Sequence, residues 1–243
     1  MIRTRTHVIS LASSLERREA FARRAAGAET PWAFSDASTG VLPELTYDEP
    51  AAIAAVGRPL RPAELGCYSS HYALWLALLG DETADQYVVL EDDVEIDWTF
   101  LAALARLDAR DFGSGYIRLF YRKPAPFHVV AKGVVDGARK IVSLHDYCFG
   151  TQGYLISKPA AARLVEHCRV IRRPIDNALD RWWSHGVENL SFFPFPMFEK
   201  QVGSTVQSQA APAGDATRGA IWTRAQDSLQ RRSALLRRGL GWG

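Results

Sequence analysis

Residues 86–97, Gln-Tyr-Val-Val-Leu-Glu-Asp-Asp-Val-Glu-Ile-Asp, constrain the fold more than any other stretch of this chain. Positions 87–90 are apolar and rich in β-branched and aromatic side chains, as in a strand buried on both faces of a parallel sheet. Three carboxylates follow at once, and clustered acids repel one another and resist desolvation. The strand's C-terminal edge therefore has to open on solvent or on a cation, and that edge is where open α/β sheets bind ligands. Alternation of period 2 sends Glu91 and Asp93 to one side and Asp92 to the other. Two carboxylates can then share a metal while the third contacts a ligand or the backbone. Taken alone, such a cluster reads equally as a metal site or as plain turn and cap residues.

A chain of 243 residues with 47% hydrophobic content can bury a real core, and reads as one large domain or as one domain plus an extension. A formal charge of +2 gives no reason to expect a nucleic-acid partner. Cys67, Cys148 and Cys168 are odd in number and lack metal-site spacing, the pattern of reduced thiols in a cytosolic protein. The apolar run 8–12 is too short for a signal peptide, and the run 73–79 is too short to span a bilayer.

In chain order, residues 7–11 predict a first strand and 15–26 a helix, with Ser13 or Ser14 as N-cap and Gly27 as stop. Arg17 and Arg18 fall in that helix's first turn, where the dipole disfavours cations, so they call for an anionic partner or open solvent. A strand at 32–35 and a proline-rich excursion over 36–62 lead to a helix over 62–79. Its small residues Gly66, Ser69 or Ser70, Ala73 and Ala77 share a face suited to close packing. His71 lies within this helix and reads first as a core histidine. Further on come a helix over 98–107, a strand at 116–120, a hairpin around Asp136-Gly137, a strand at 153–157 and helices over 158–168 and 174–185. The last of these carries Asp176 and Asp180 on one face. After an apolar segment at 190–195, residues 207–219 have linker composition. The arginine-rich amphipathic tail beyond them suits either an anionic membrane surface or docking on its own domain.

Several motifs, taken together and in order, are more specific than any one of them. They are Val8-Ile9-Ser10-Leu11 with Arg17-Arg18, Leu60-Arg61-Pro62-Ala63-Glu64-Leu65-Gly66-Cys67 with Ser70-His71 and Trp75, Val89-Leu90-Glu91-Asp92-Asp93-Val94, the block 150–157, and Pro174-Ile175-Asp176. Over roughly residues 6–208 this order resembles glycosyltransferase family 25, the lipooligosaccharide galactosyltransferases to which collagen galactosyltransferases are related. The resemblance implies a GT-A-like α/β fold, with a mostly parallel central sheet flanked by helices, as a catalytic domain over 1–206 followed by a linker and basic helix over 207–243. It implies a UDP-sugar donor, UDP-galactose or a related UDP-hexose, a manganese or magnesium ion, and inverting transfer to a saccharide hydroxyl in lipopolysaccharide or other surface-glycan synthesis.

By the same resemblance Asp93 is the first metal ligand, Glu91 its partner, Asp92 a neighbour of the ribose or donor sugar, and Asp176 the base that takes the acceptor proton. Ser10, Arg17 and Arg18 border the nucleotide, and the Ser70-His71 pair makes His71 a site residue. Thr151, Gly153 and Tyr154 shape the acceptor side, and Gln201 or Ser204 closes over the diphosphate. No late histidine offers a further metal ligand, and Ser114-Gly115 stands where an acid is expected. Arg122, Lys123, His128, Lys132 and Arg139 make the segment 120–146 basic enough for an anionic acceptor. The competing readings are a metal-dependent phosphohydrolase or nucleotidyltransferase, and a nucleotide-sugar binder without turnover.

Overall fold

The computed structural model describes residues 1–113, 115–200 and 218–239. The chain opens with β1 (Thr4–Ser10), α1 (Leu15–Arg24) and β2 (Trp32–Asp36), crosses an excursion carrying β3 (Thr46–Tyr47) and α2 (Glu49–Val56), and enters the long α3 (Pro62–Gly80). Next come β4 (Gln86–Glu91), β5 (Val94–Ile96), α4 (Trp98–Leu104), β6 (Tyr116–Arg118) and the hairpin of β7 (Phe127–Lys132) and β8 (Lys140–Leu144). β9 (Gly153–Ser157), α5 (Lys158–His167), β10 (Val170–Ile171), α6 (Ile175–Leu179) and α7 (Trp182–His185) follow. β11 (Leu190–Phe193), β12 (Met197–Glu199) and α8 (Arg218–Arg237) complete the described elements.

Eight strands form the central sheet in the order β2-β1-β4-β9-β6-β11-β8-β7. β1 runs parallel to β2 and β4, and β6 to β11. The other four pairings are antiparallel, with β9 running against both β4 and β6. The α/β class stands, but the sheet is mixed where a mostly parallel one is expected. A parallel neighbour needs a long crossover, usually a helix. Here the segment between β6 and β9 forms the β7–β8 hairpin instead, its turn fixed by the Asp136 carboxylate, which accepts the N–H groups of Ala138 and Arg139 at 3.1 and 3.0 Å.

β4 is buried on both faces, as its composition predicts. Val88 and Leu90 join Val8, Phe100 and Leu101 in one core, while Tyr87 and Val89 join Trp75, Leu78 and Tyr154 in the other. Each buried aliphatic side chain contributes about 1.5–3 kcal/mol, and a slip of one residue would exchange the two faces. Register is thereby fixed, and with it the point where the carboxylates emerge.

α3 starts at Pro62, and the Glu64 carboxylate accepts the Arg61 N–H at 2.8 Å and both ends of the Arg58 guanidinium at 2.7 and 2.8 Å. Gly66 has a steric reason: a Cβ there would lie 2.5 Å from the Ser38 carbonyl oxygen. The loop after β2 rests directly on the helix at that point.

The helix expected over 174–185 is instead two short ones, because the chain turns at the fully buried Asp180. Its carboxylate accepts the N–H groups of Cys148 and Phe149 at 3.0 and 2.8 Å, Arg118 Nη2 at 2.9 Å and Asn189 Nδ2 at 3.0 Å. Asp227, the one acid of α8, accepts Arg181 Nη2 at 2.6 Å, Arg173 Nη1 at 3.0 Å and the Tyr147 hydroxyl at 2.9 Å. Ala234 and Leu235 pack against Trp182 and Trp183. One face of the arginine-rich helix is thus docked on the body of the chain, while Trp222, Leu229 and Leu236 remain exposed. Residues 201–217, most of the expected linker included, lie outside the described residues.

Removing Asp180 leaves the guanidinium of Arg118, itself only 1% exposed, without its buried carboxylate. Asp180→Ala should lower stability by about 3–5 kcal/mol, read as a fall in the urea midpoint at unchanged slope. A loss below about 1 kcal/mol would mean that the pair does not hold this corner of the fold.

Candidate active site

From β1 the chain passes to β2 on one side and then to β4 on the other, so a crevice opens beyond the carboxyl ends of β1 and β4. A cleft of about 250 Å³ lies there, with Ser10, Arg17, Ser38, Ser70, His71 and Asp92 in its walls. Ser10 Oγ donates to Asp92 Oδ2 at 2.6 Å, Arg17 pairs with Asp92 Oδ1, and the same guanidinium lies 3.5 Å from Asp93 Oδ2. The anionic partner that Arg17 calls for is therefore part of the chain itself. Arg18 turns aside to Asp36 Oδ1 at 2.5 Å and the Ser10 carbonyl at 2.8 Å, and does not line the cleft. Ser70 Oγ accepts the Ser38 N–H at 2.9 Å and donates to the Gly66 carbonyl at 2.7 Å, which pins the loop after β2 over α3.

A second cleft, of about 310 Å³, opens on the far side of Glu91 and is lined by Asp93, Arg122, Thr151, Gln152, Asp176 and Asn177 among others. Cys67 and Glu91 belong to both walls. The antiparallel course of β9 makes this possible, because it brings the entry to β9 beside the exit from β4. The Glu91 N–H donates to the Gln152 carbonyl at 2.9 Å, and Thr151 Oγ1 donates to Glu91 Oε1 at 2.7 Å. Asp176, in the first turn of α6, accepts the Asn177 N–H at 2.7 Å and the Gly150 N–H at 3.3 Å. Arg122 forks onto Glu199 at 2.6 and 3.0 Å.

Like Arg18, two further expected site residues stand back from both clefts. Gly153 lies within β9, and a Cβ there would meet Met197 Sδ at 2.4 Å, so its smallness serves the packing of β9 rather than an acceptor. Tyr154 is buried beneath α3, its hydroxyl 2.9 Å from His71 Nδ1 and accepting from Trp75 Nε1 at 3.0 Å. His71 is both things the sequence offers: a fully buried histidine and a residue of the cleft wall. Gln201, Ser204 and Ser114 lie outside the described residues.

The three carboxylates differ in electrostatics as well as direction. Burial opposes ionisation of Glu91, but His71 and Thr151 outweigh it and hold the carboxyl below its ordinary range. For Asp93, burial and the neighbouring Glu91 act together and push it up to about 7. Asp93 Oδ1 is buried with no hydrogen-bond partner among the described residues. Burial, with Asp180 one turn away, also raises Asp176. Hard divalent cations take oxygen ligands and keep positions for water and phosphate. An orphaned carboxylate oxygen beside a second carboxylate, both on the second cleft, fits such an ion. Sequence spacing passed over Cys67; its position four residues before His71 on one helix was the signal that could have found it.

No described helix is long and apolar enough to cross a membrane. Residues 3–179 match the family model described as glycosyltransferase family 25, LPS biosynthesis protein. Procollagen galactosyltransferase 2 of Homo sapiens is 34% identical over 111 residues, which cover 44% of this chain and 17% of that protein. The lacto-N-neotetraose biosynthesis glycosyltransferase LgtB of Neisseria gonorrhoeae is 33% identical over 177 residues, 68% of this chain and 61% of the relative. The chain thus spans under a fifth of the first and about three fifths of the second. A glycosyltransferase involved in glycosylation of the major capsid of PBCV-1 aligns over 80% of this chain and 71% of its own at 10% identity, with a TM-score of 0.31, too loose a likeness to bear on fold or function. The matched region contains β1, α3, β4 and Asp176, and so the principal walls of both clefts; the chain belongs to glycosyltransferase family 25.

Proposed function

We propose that this protein is a metal-dependent inverting transferase that moves a hexose, galactose first among them, from a UDP-sugar to a saccharide hydroxyl. The observation that carries this reading is that two clefts meet at Glu91, with Asp92 facing one of them and Asp93 and Asp176 facing the other. The first cleft takes the nucleotide: Ser10 and Arg17 border it, and Asp92, held by both, offers its carboxylate edge to ribose or sugar hydroxyls. The second takes the acceptor. The names of the two relatives support galactose, and the family's description supports surface-glycan synthesis.

Glu91 and Asp93 would hold manganese or magnesium, which when bound neutralises the diphosphate as it leaves. Asp176 removes the acceptor proton, and a buried carboxylate more basic than an ordinary aspartate suits that task. An acceptor oxygen attacking from the second cleft, on the face of the sugar opposite the departing diphosphate, gives inversion at the anomeric carbon. Arg122, in the wall of the second cleft, supplies positive charge for an anionic acceptor. The outer face of α8 presents Trp222, Leu229 and Leu236 at seven-residue spacing with Arg232 and Arg237 beside them, a combination suited to an anionic membrane surface.

Calorimetry against a panel of UDP-sugars, with and without manganese, should find one sugar that binds only with the metal, weakened at least about tenfold in Asp93→Ala. Absence of binding under every condition would leave a protein of this family that does not use such a donor. With that donor in hand, Asp176→Asn should lower kcat by about 10²–10⁴ while leaving donor affinity unchanged. A fall of less than about tenfold would remove Asp176 as the base. The full chain should co-sediment with phosphatidylglycerol vesicles but not with phosphatidylcholine ones, and lose this in the triple variant Trp222→Ser, Leu229→Ser, Leu236→Ser. Sedimentation untouched by the triple variant would dismiss α8 as the contact.

A further inference from the structure

We propose that Cys67, His71 and Glu91 form a binding site for a thiophilic divalent cation, zinc by its chemistry, at the wall shared by the two clefts. One ligand atom from each, the Cys67 sulfur, a His71 ring nitrogen and a Glu91 carboxylate oxygen, lies within 4.8 Å of the other two. His71 Nε2 and Glu91 Oε1 are 3.7 Å apart. Tetrahedral zinc with ordinary bond lengths separates two such ligand atoms by about 3.4–3.6 Å. The nitrogen and oxygen need almost no movement, and the Cys67 sulfur, within 4.8 Å of both, has only the remaining gap to close.

An independent observation points the same way. The His71 side chain is only 1% exposed, and its Nε2 is buried without a hydrogen-bond partner among the described residues. At 3.7 Å neither tautomer makes a hydrogen bond to Glu91. The Tyr154 hydroxyl, 2.9 Å from Nδ1, fixes the ring with Nε2 turned towards the Glu91 carboxylate, where a cation between them would take both as ligands. Metal-ligating histidines almost always have their other ring nitrogen fixed by a hydrogen bond, and Tyr154, itself held by Trp75 Nε1 at 3.0 Å, supplies one.

The donor set separates this site from the one at Asp93. A thiol and an imidazole select a soft or borderline ion, whereas manganese and magnesium prefer oxygen. Three protein ligands leave a fourth position open, and since Cys67 and Glu91 line both clefts, that position faces substrate space. Binding releases the thiol proton to solvent and forms a sulfur–metal bond, with no change of oxidation state. An ion held here occupies the passage between donor and acceptor and takes Glu91 away from the Asp93 site, so zinc inhibits transfer; that consequence rests on the transferase reading, and the binding does not.

The first test uses the full-length wild-type chain, with cobalt as the spectroscopic stand-in for zinc. One equivalent of cobalt should produce an ultraviolet thiolate-to-metal charge-transfer band that zinc abolishes and that Cys67→Ser lacks. Should that variant fold poorly, alkylation of the wild type decides. Free zinc at about ten times its Kd should slow iodoacetamide labelling of Cys67 by about tenfold, while manganese at the same concentration leaves the rate within about twofold. The buried Cys148 and Cys168 serve as controls within the same chain. A band that persists in Cys67→Ser, or labelling that zinc does not slow, overturns the site. Zinc protection together with no UDP-sugar binding would sink the transferase reading and leave this site standing.

Discussion

A strand buried on both faces that ends in three consecutive carboxylates sets the terms for everything around it. The three cannot all be ionised in a half-buried crevice unless each is given a separate electrostatic solution. Asp92 is tied to Ser10 and Arg17, so β1 and α1 are committed to that end of the sheet. Glu91 is met by Thr151 and His71, which commits β9 and α3. Among the described residues Asp93 receives a share of Arg17 and keeps an unpartnered oxygen. The architecture thus supplies two of the three acids and leaves the third short, and the shortage is what makes a cation the natural complement.

The two-faced burial of β4 was legible in the sequence because it follows from the apolar run 87–90, whereas Asp92 and Asp93 lie beyond the strand in a turn, where one nitrogen of Arg17 reaches both carboxylates. The Asp136 hairpin and the start of α3 were legible because turn and cap chemistry is local. The direction of β9 was not, since nothing in residues 153–157 records whether the neighbouring strand runs with or against them. The same ignorance hid the shared wall, which depends on an antiparallel β9 bringing Thr151 beside Glu91. Gly153 misled for a related reason: a glycine wanted by a sulfur packed beneath it looks, in sequence, like one wanted by a ligand.

The tail shows how charge counting can mislead about direction. A run of arginines with a single acid reads as a surface made for anions, yet the acid is the anchor: Asp227 is gripped by two arginines of the body, and the face bearing it is turned inward. Arg231 of α8 and Arg238 just beyond it meet acids of the same chain in turn, at Asp146 and Glu188. Whatever the outer face meets, the helix reaches it as a fixed part of the body.

Ser10, Glu91 and the entry to β9 stand on three adjacent strands, and adjacent strands keep a spacing of about 4.7–4.9 Å. The sheet is in effect a ruler laid across the crevice, with one graduation per strand. Groups fixed to it cannot drift apart by fractions of a graduation, because that would break the ladder that spaces them. Divergence within this architecture is therefore quantised along one axis and free along the other. The gap between the walls holds constant, while loops such as 37–39 and 120–126, which carry no graduations, are left to decide what fits between them.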